Sequence, residues 1–157
     1  MANRIDFSRL APIDAVSGET EKDTQLLRGM AEEARRYLLS FHWCTAIRKG
    51  WFGWGVGGIA AVFLFEIQPV NSDVDKLLWV VVGDLPPAYL VVDESPTPLD
   101  ALRNYVGLMQ EWITAVREGK STEECIPVNS AATRESADAL GTRLDFLKRE
   151  FLANQSA

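Results

Sequence analysis

The chain has 157 residues, of which 47% are hydrophobic and 24% charged, and its formal net charge at pH 7 is −6. This length suits a single domain, and the hydrophobic fraction is too high for a disordered chain. The acidic balance excludes a general nucleic-acid binder and docking on an anionic membrane surface, because both depend on clustered Lys and Arg.

The first 19 residues show no sustained hydrophobic periodicity, which predicts a flexible or loosely docked N-terminal arm in front of a single domain at 20–157. They also lack the apolar stretch of a secretory signal peptide. The uncharged run 50–65 is glycine-rich and shorter than the roughly 20 apolar residues of a membrane-spanning helix. We therefore expect a cytoplasmic protein without a membrane partner.

A first helix is predicted from Thr20 to about residues 41–45, because apolar residues recur there at steps of three and four. Thr20 is a favourable N-cap, and Glu21 and Asp23 place negative charge in the first turn. The apolar face of this helix comprises Leu26, Leu27, Met30, Ala34, Tyr37, Leu38 and Phe41.

Three strands are predicted in the middle of the chain. Residues 59–67 and 76–82 are short apolar runs bounded by turn residues, which favours buried strands. The prolines of 83–87 end the second run, and 89–92 resume as a short third strand. Residues 49–58 combine glycines with two tryptophans and are predicted to form a bent loop.

Two further helices complete the predicted fold. Thr97 is a favourable N-cap for the second helix, and Gly119 a favourable C-terminal stop. The third helix, at 133–153, carries an apolar seam that indicates either core packing or a homodimer contact. The seam comprises Ala137, Leu140, Leu144, Leu147 and Phe151. The element order predicts an α+β fold, with a small antiparallel three-stranded sheet and about three helices packed on one of its faces.

The negative charge is concentrated in the middle of the chain. Residues 51–100 carry one base, Lys76, against seven acids, so this segment alone has a net charge of −6. Two interpretations stay open. The acids form a coherent negative surface that steers a basic partner protein, or they cap helices, protect strand edges and keep the chain soluble.

No residue pattern indicates catalysis, a metal site or a cofactor. The single histidine, His42, lies two residues before Cys44, and side chains at that spacing on a helix end point in different directions. Cys44 and Cys125 lack the spacing of a zinc site. The Gly-x-Gly of 53–58 lacks the following helix and the Lys-Ser pair of a phosphate-binding loop.

The most distinctive local pattern is a predicted strand that contains a tryptophan and ends in a proline-rich turn. It consists of Trp79, then Gly83-Asp84-Leu85-Pro86-Pro87, and then Tyr89. Two roles are open for Asp84. It accepts backbone N–H bonds in the turn, or it forms with Tyr89 the polar part of a binding site beside Trp51 and Trp54. Tyr and Trp are favoured in binding sites because they offer large area and a hydrogen bond at low entropy cost. The candidate binding residues are Trp51, Trp54, Glu66, Asp84, Tyr89, Asp93 and Glu94.

This motif resembles that of a family of small bacterial proteins of unknown function. Members carry a tryptophan-bearing strand that runs into Gly-Asp-Leu-Pro, with an aromatic residue shortly after, and the similarity covers about residues 40–118. Pro87 departs from the family pattern, which has a small polar residue there. The resemblance implies a bacterial domain and no mechanism.

Two hypotheses on function follow, beside a purely structural or oligomeric role through the seam of the third helix. The first is a non-catalytic protein-binding module of the immunity, inhibitor or accessory kind, whose partner is a basic protein. The alternative is a small-molecule-binding domain or small enzyme, with Asp84 or Glu66 as the polar group of a pocket. That pocket would be walled by Trp43, Trp51, Trp54 and Trp79.

Overall fold

The chain forms three layers in a computed structural model, which describes residues 5–128 and 131–153. A five-stranded antiparallel sheet, in which each strand lies beside the next in chain order, is covered by helices on both faces. The strands are β1 (Ala11–Pro12), β2 (Cys44–Val56), β3 (Ala60–Pro69), β4 (Leu77–Gly83) and β5 (Ala88–Val91), and the helices are α1 (Glu21–Leu39), α2 (Pro98–Arg117) and α3 (Arg134–Leu147).

The predicted α+β class is confirmed, but the prediction of three strands is wrong, because β1 and β2 also belong to the sheet. β2 contains most of the segment 49–58 that we predicted to be a loop. Its glycines lower strand propensity, yet here they let other elements approach the strand closely. A Cβ on Gly53 would lie 2.7 Å from Pro98 Cγ in α2, and one on Gly55 would lie 2.8 Å from Leu27 Cδ2 in α1.

The prediction that the helices share one face of the sheet is also wrong. α1 packs on one face, and α2 and α3 pack on the other. Successive side chains of a strand point to opposite faces, so the unbroken apolar runs in β3 and β4 supply a core on each side. The α1 face takes Ala61, Phe63, Phe65, Ile67, Leu78, Val80 and Val82, and the α2–α3 face takes Ala60, Val62, Leu64, Trp79 and Val81.

The predicted helix ends are confirmed where they depend on capping. Thr20 Oγ accepts a hydrogen bond from the Asp23 N–H (3.0 Å), and Thr97 Oγ accepts one from the Asp100 N–H (3.1 Å). Gly119 follows α2 with a φ of +70°, the left-handed conformation that favours glycine. In α3, the seam side chains are buried in the core shared with α2, from Ala137 to Leu147.

Part of the segment predicted as an N-terminal arm is integrated into the fold. β1 pairs with β2 through Ala11 opposite Phe52 and Pro12 opposite Trp51. Just after β1, the side chains of Ile13 and Val16 are buried in the core beneath α1. Residues 1–4 lie outside the described part of the chain.

The two edges of the sheet differ in how they are protected. At one edge, β1 pairs with only Trp51 and Phe52, and the first half of β2 carries two register shifts and the exposed side chains of Arg48 and Lys49. Bulges and basic side chains prevent another chain from pairing with an open edge. The other edge, β5, is the uncharged sequence Ala-Tyr-Leu-Val and has β4 as its single ladder partner.

Candidate functional site

A cavity of about 540 Å³ lies along the outer side of β5, and we call it the edge groove. All four residues of β5 border it. Tyr37 near the C-terminal end of α1 and Phe41 just after this helix form one wall, and α2 forms the other, through Asn104, Leu108 and Glu111. The groove exists because β5 is the last strand of the sheet, and among residues 5–128 and 131–153 no further strand pairs with it.

An aromatic cluster forms the α1 wall of the edge groove. Tyr89 lies opposite Val80 in the β4–β5 ladder, so its side chain points to the α1 face of the sheet. Its ring centroid is 5.0 Å from that of Trp43 and 5.3 Å from that of Phe41, and the Phe41 and Trp43 rings stack at 4.9 Å. Tyr37 lies 5.2 Å from Phe41. Edge-to-face and stacked arrangements of this kind are favourable.

Tyr89 is the outermost member of this aromatic cluster, with 37% of its surface exposed. Val91, two residues later on the same face of β5, is exposed to the same extent. An apolar surface on a strand edge with no covering strand is a surface available to another molecule.

At one end of the edge groove, hydrogen bonds hold the chain segment just after β5, which contains Glu94 and Ser95. The buried Ser95 accepts a hydrogen bond from Trp79 Nε1 on its backbone oxygen (2.7 Å) and one from Asn104 Nδ2 on its hydroxyl (2.7 Å). Asn104 Nδ2 also donates to the backbone oxygen of Glu94 (3.0 Å). The chain after β5 is thereby tied to both the core and α2, which fixes the position of Glu94.

The charge that lines the edge groove is mainly negative. Glu94 and Glu111 both border it and are exposed. Arg103 borders it too, but its guanidinium lies 3.1 Å from the carboxylate of Asp100, which compensates its charge. A basic ligand is therefore electrostatically favoured over an acidic one.

The structure brings Tyr89 and Glu94, two of the residues predicted from the sequence, into the edge groove. Asp93 is exposed next to Glu94. Asp84 lies in the turn before β5, at the opposite end of the strand, where its carboxylate is 3.1 Å from Arg143 Nε in α3. Asp84 thus lies at one end of β5, and Asp93 and Glu94 lie at the other.

The predicted tryptophans belong to other parts of the molecule. Trp51 and Trp54 pack on the α2–α3 face, with ring centroids 5.0 Å from Phe7 and 5.2 Å from Phe151. Glu66 pairs across the sheet with Lys49 in β2, away from β5. None of the three joins Tyr89: Trp51 and Trp54 lie three strands from β5 and Glu66 two strands from it, all on the opposite face.

The four tryptophans of the alternative hypothesis do not surround a common pocket. Trp79 is fully buried in the core under α2, and Trp43 lies on the α1 face with Tyr89. Trp51 and Trp54 lie on the opposite face from Trp43. A pocket with all four as walls is therefore not formed.

Sequence reasoning missed three groove residues for identifiable reasons. Tyr37 and Phe41 were assigned to the apolar face of α1, although that face changes there from aliphatic to aromatic side chains. Glu111 lies three residues after Leu108 and seven after Asn104, a spacing that places all three on one side of α2. This second face of α2, which combines polar and apolar residues, was the sequence pattern that could have indicated Glu111 as a groove residue.

The single histidine and Cys44 do not border the edge groove. His42 is exposed, and burial raises the pKa of the Cys44 thiol, which keeps it protonated. Within residues 5–128 and 131–153, no group of three or more His, Cys, Asp or Glu side chains is placed to hold a metal ion. What the groove offers is aromatic surface, amide and hydroxyl groups, and two carboxylates.

Burial makes the tyrosines near the groove hard to ionise. It raises the pKa of Tyr37 to about 12, with a further contribution from the nearby Tyr89, and it raises the pKa of Tyr105 as well. The Tyr105 hydroxyl donates a hydrogen bond to the backbone oxygen of Pro86, in the turn before β5.

These raised pKa values predict alkaline destabilisation. The unfolded tyrosines lose their protons near pH 10, whereas the folded ones retain theirs, so stability falls as the pH rises from about 10 to 12. Urea midpoints at pH 8, 10 and 11 should decrease above pH 10, and the decrease should be smaller in Tyr37→Phe. An equal decrease in the variant would show that Tyr37 does not contribute.

Comparison with protein-family models, with curated proteins and with solved structures finds no match for this chain. Among the described residues, no helix has both the length and the apolar character needed to cross a membrane. We therefore assign a function from the residues that line the edge groove and from their geometry.

Proposed function

We propose that this chain is a non-catalytic protein-binding module that holds a basic partner protein in the edge groove. An immunity, inhibitor or accessory role in the cytoplasm fits such a module, and a reducing compartment suits its two free thiols, Cys44 and Cys125. The observation that carries the proposal is the position of the exposed Tyr89, packed on Phe41 and Trp43, on a sheet edge that no strand in the described part of the chain covers.

The aromatic cluster has the composition of a protein-binding hot spot. Trp and Tyr dominate such sites because a rigid ring buries much area while losing little conformational entropy. Tyr89 is supported from below by Phe41 and Trp43, so it is held in place before a partner arrives. Preorganisation of this kind reduces the entropic cost of association.

The acids of the edge groove indicate the charge of the partner. The backbone of Glu94 accepts a hydrogen bond from Asn104, and Glu111 in α2 also borders the groove. Carboxylates at the rim of an interface accelerate association with a basic protein and make that association sensitive to salt.

The second candidate is a small-molecule-binding domain. The edge groove, at about 540 Å³, falls in the range of roughly 300–1,000 Å³ in which small ligands bind. Its polar groups would be Glu94, Glu111 and Asn104, and Asp84 and Glu66 have no part in it. Mass spectrometry of the purified protein under native conditions would reveal a retained small ligand and favour this candidate.

The test of the proposal is a matched pair of exposed aromatic substitutions. Partner protein is first captured from native lysate at low and at high salt, identified, purified and measured by calorimetry. Tyr89→Ala should weaken its binding about 30-fold or more, the loss of a 2 kcal/mol hot spot. Phe146→Ala in α3 removes a ring of similar exposure, 36%, and should leave the affinity within a factor of about three. Equal effects of the two variants would contradict binding in the edge groove.

A further inference from the structure

The backbone of β5 has hydrogen-bonding capacity on its outer side. In an antiparallel ladder, alternate residues direct their N–H and C=O groups to the neighbouring strand, and the residues between them direct theirs the other way. β5 pairs with β4 from Ala88 opposite Val81 to Val91 opposite Leu78, so two of its four residues direct both groups into the edge groove. A ligand in extended conformation satisfies these groups at once.

The side walls of the edge groove match the alternation of a strand. On the α1 side lie the rings of Tyr37, Phe41 and Tyr89, and on the α2 side lie Leu108 and Ile126. Successive side chains of an added strand would point alternately to these two walls. The groove therefore offers apolar surface on both sides and hydrogen bonds along its centre.

The occupant is restricted in length and in charge. Pro87 precedes β5 and a single turn at Val92–Glu94 follows it, so about four residues can pair. Glu94 and Glu111 favour a basic side chain on the incoming segment. A second copy of this chain would bring a second Glu94 and a second Glu111 into the same interface, and like charges there oppose association.

We propose that the partner contributes an extended segment of about four residues that adds to the sheet as a sixth strand beside β5, with apolar side chains directed to both walls of the groove and a flanking lysine or arginine. This inference rests on the proposed function, since it specifies how the partner occupies the edge groove. The contrast between the bulged, basic edge of β2 and the uncharged edge of β5 supports it, because only β5 lacks those protections.

The test uses a defined peptide, acetyl-Lys-Val-Leu-Val-Lys-amide, titrated to millimolar concentration into the ¹⁵N-labelled full chain. The amide signals of 88–91 should shift, and the two outward-facing amides should exchange with deuterium at least tenfold more slowly when peptide is bound. The same peptide with glutamates in place of its lysines should bind at least tenfold more weakly.

Two N-methylated versions of the peptide distinguish strand addition from other binding in the same groove. Methylation of the amides that face β5 should weaken binding at least tenfold, whereas methylation of the amides that face away should change it less than threefold. Equal effects of the two patterns, with Tyr89→Ala still weakening binding, would overturn strand addition and leave the proposed function standing. Peptide binding that is insensitive to Tyr89→Ala would contradict the function itself.

The remaining outcomes also decide the inference. An absence of shifts at 88–91 at millimolar peptide would overturn it, because the free edge would then not accept a strand. The peptide-free protein gives a further outcome. If deuterium exchange of the 88–91 amides became slower as the protein concentration rose, a second copy of the chain would occupy the groove, and the inference would be overturned.

Discussion

Replacing Trp79 with alanine is expected to lower the free energy of unfolding by about 3–5 kcal/mol, the cost of removing a large ring from a packed core. Trp79 is 0% exposed and lies between Leu64 in β3 and Leu90 in β5 on the face covered by α2. Its loss leaves a cavity at the junction of three strands. Urea denaturation followed by circular dichroism measures the change.

The variant Trp79→Phe separates the contribution of the Trp79 hydrogen bond to the free energy of unfolding from the contribution of ring packing. The ring is mostly retained, but the bond from Trp79 Nε1 to the Ser95 backbone oxygen is lost. An unpaired buried acceptor costs about 1–3 kcal/mol. Trp54→Phe is the control, because Trp54 is only partly buried, and its effect should stay below about 1 kcal/mol. Equal costs for the two variants would show that the Ser95 bond does not stabilise the fold.

Replacing Gly83 with alanine is expected to be comparably damaging. Gly83 ends β4 with a φ of +149°, which side-chain-bearing residues rarely adopt, and an added Cβ would collide with the backbone oxygen of Ile59 and lie 2.7 Å from Ala60 Cα. Backbone strain and steric overlap each cost about 1–3 kcal/mol, so we expect a total loss of about 3 kcal/mol or more. Thermal and urea unfolding measure it.

Gly29→Ala is the control for Gly83→Ala. Gly29 lies on the exposed side of α1, and apart from its chain neighbours and the local helix backbone nothing lies within 4 Å of an added Cβ. Alanine there should stabilise the protein by about 0.5–1 kcal/mol, because glycine is unfavourable in a helix interior. If both variants changed stability in the same direction, the close approach of Gly83 to Ile59 would not be what requires glycine at the end of β4.

The Gly83 contact also bears on the position of the edge groove. The Asp84 N–H donates to the Ile59 oxygen (3.0 Å), which anchors the turn that leads into β5. Gly83→Ala should therefore disturb the β5 amide signals as well as lower stability. The Gly-Asp-Leu-Pro pattern that stood out in the sequence is explained structurally by this anchored turn, with Asp84 paired to Arg143.

The elements that sequence analysis predicted are those specified by local chemistry. The caps at Thr20 and Thr97 depend on residues three positions away, and the apolar runs of β3 and β4 are visible as unbroken stretches. β2 was predicted as a loop because its glycines oppose a strand in isolation. They are tolerated because α1 and α2 lie too close to the strand for larger side chains at Gly53 and Gly55.

The candidate site was only partly predictable for a related reason. Tyr89 stood out as the aromatic residue after the proline-rich turn and Glu94 as one of the acids of the middle segment, and both border the edge groove. Asp84 and Glu94 looked equivalent in a segment with a net charge of −6, yet they occupy opposite ends of β5. Which acids share a surface depends on strand direction and neighbours, which composition does not contain.

The sequence by itself determined the α+β class, the helix caps and the acidic character of the middle segment, because each follows from residues near one another in the chain. The tertiary structure alone decided that helices cover both faces and that β5 ends the sheet. It also brought Tyr37 and Phe41 beside Tyr89, about fifty residues further along. Such contacts arise from packing between distant segments, where the burial of apolar area selects the arrangement and local propensity alone does not specify it.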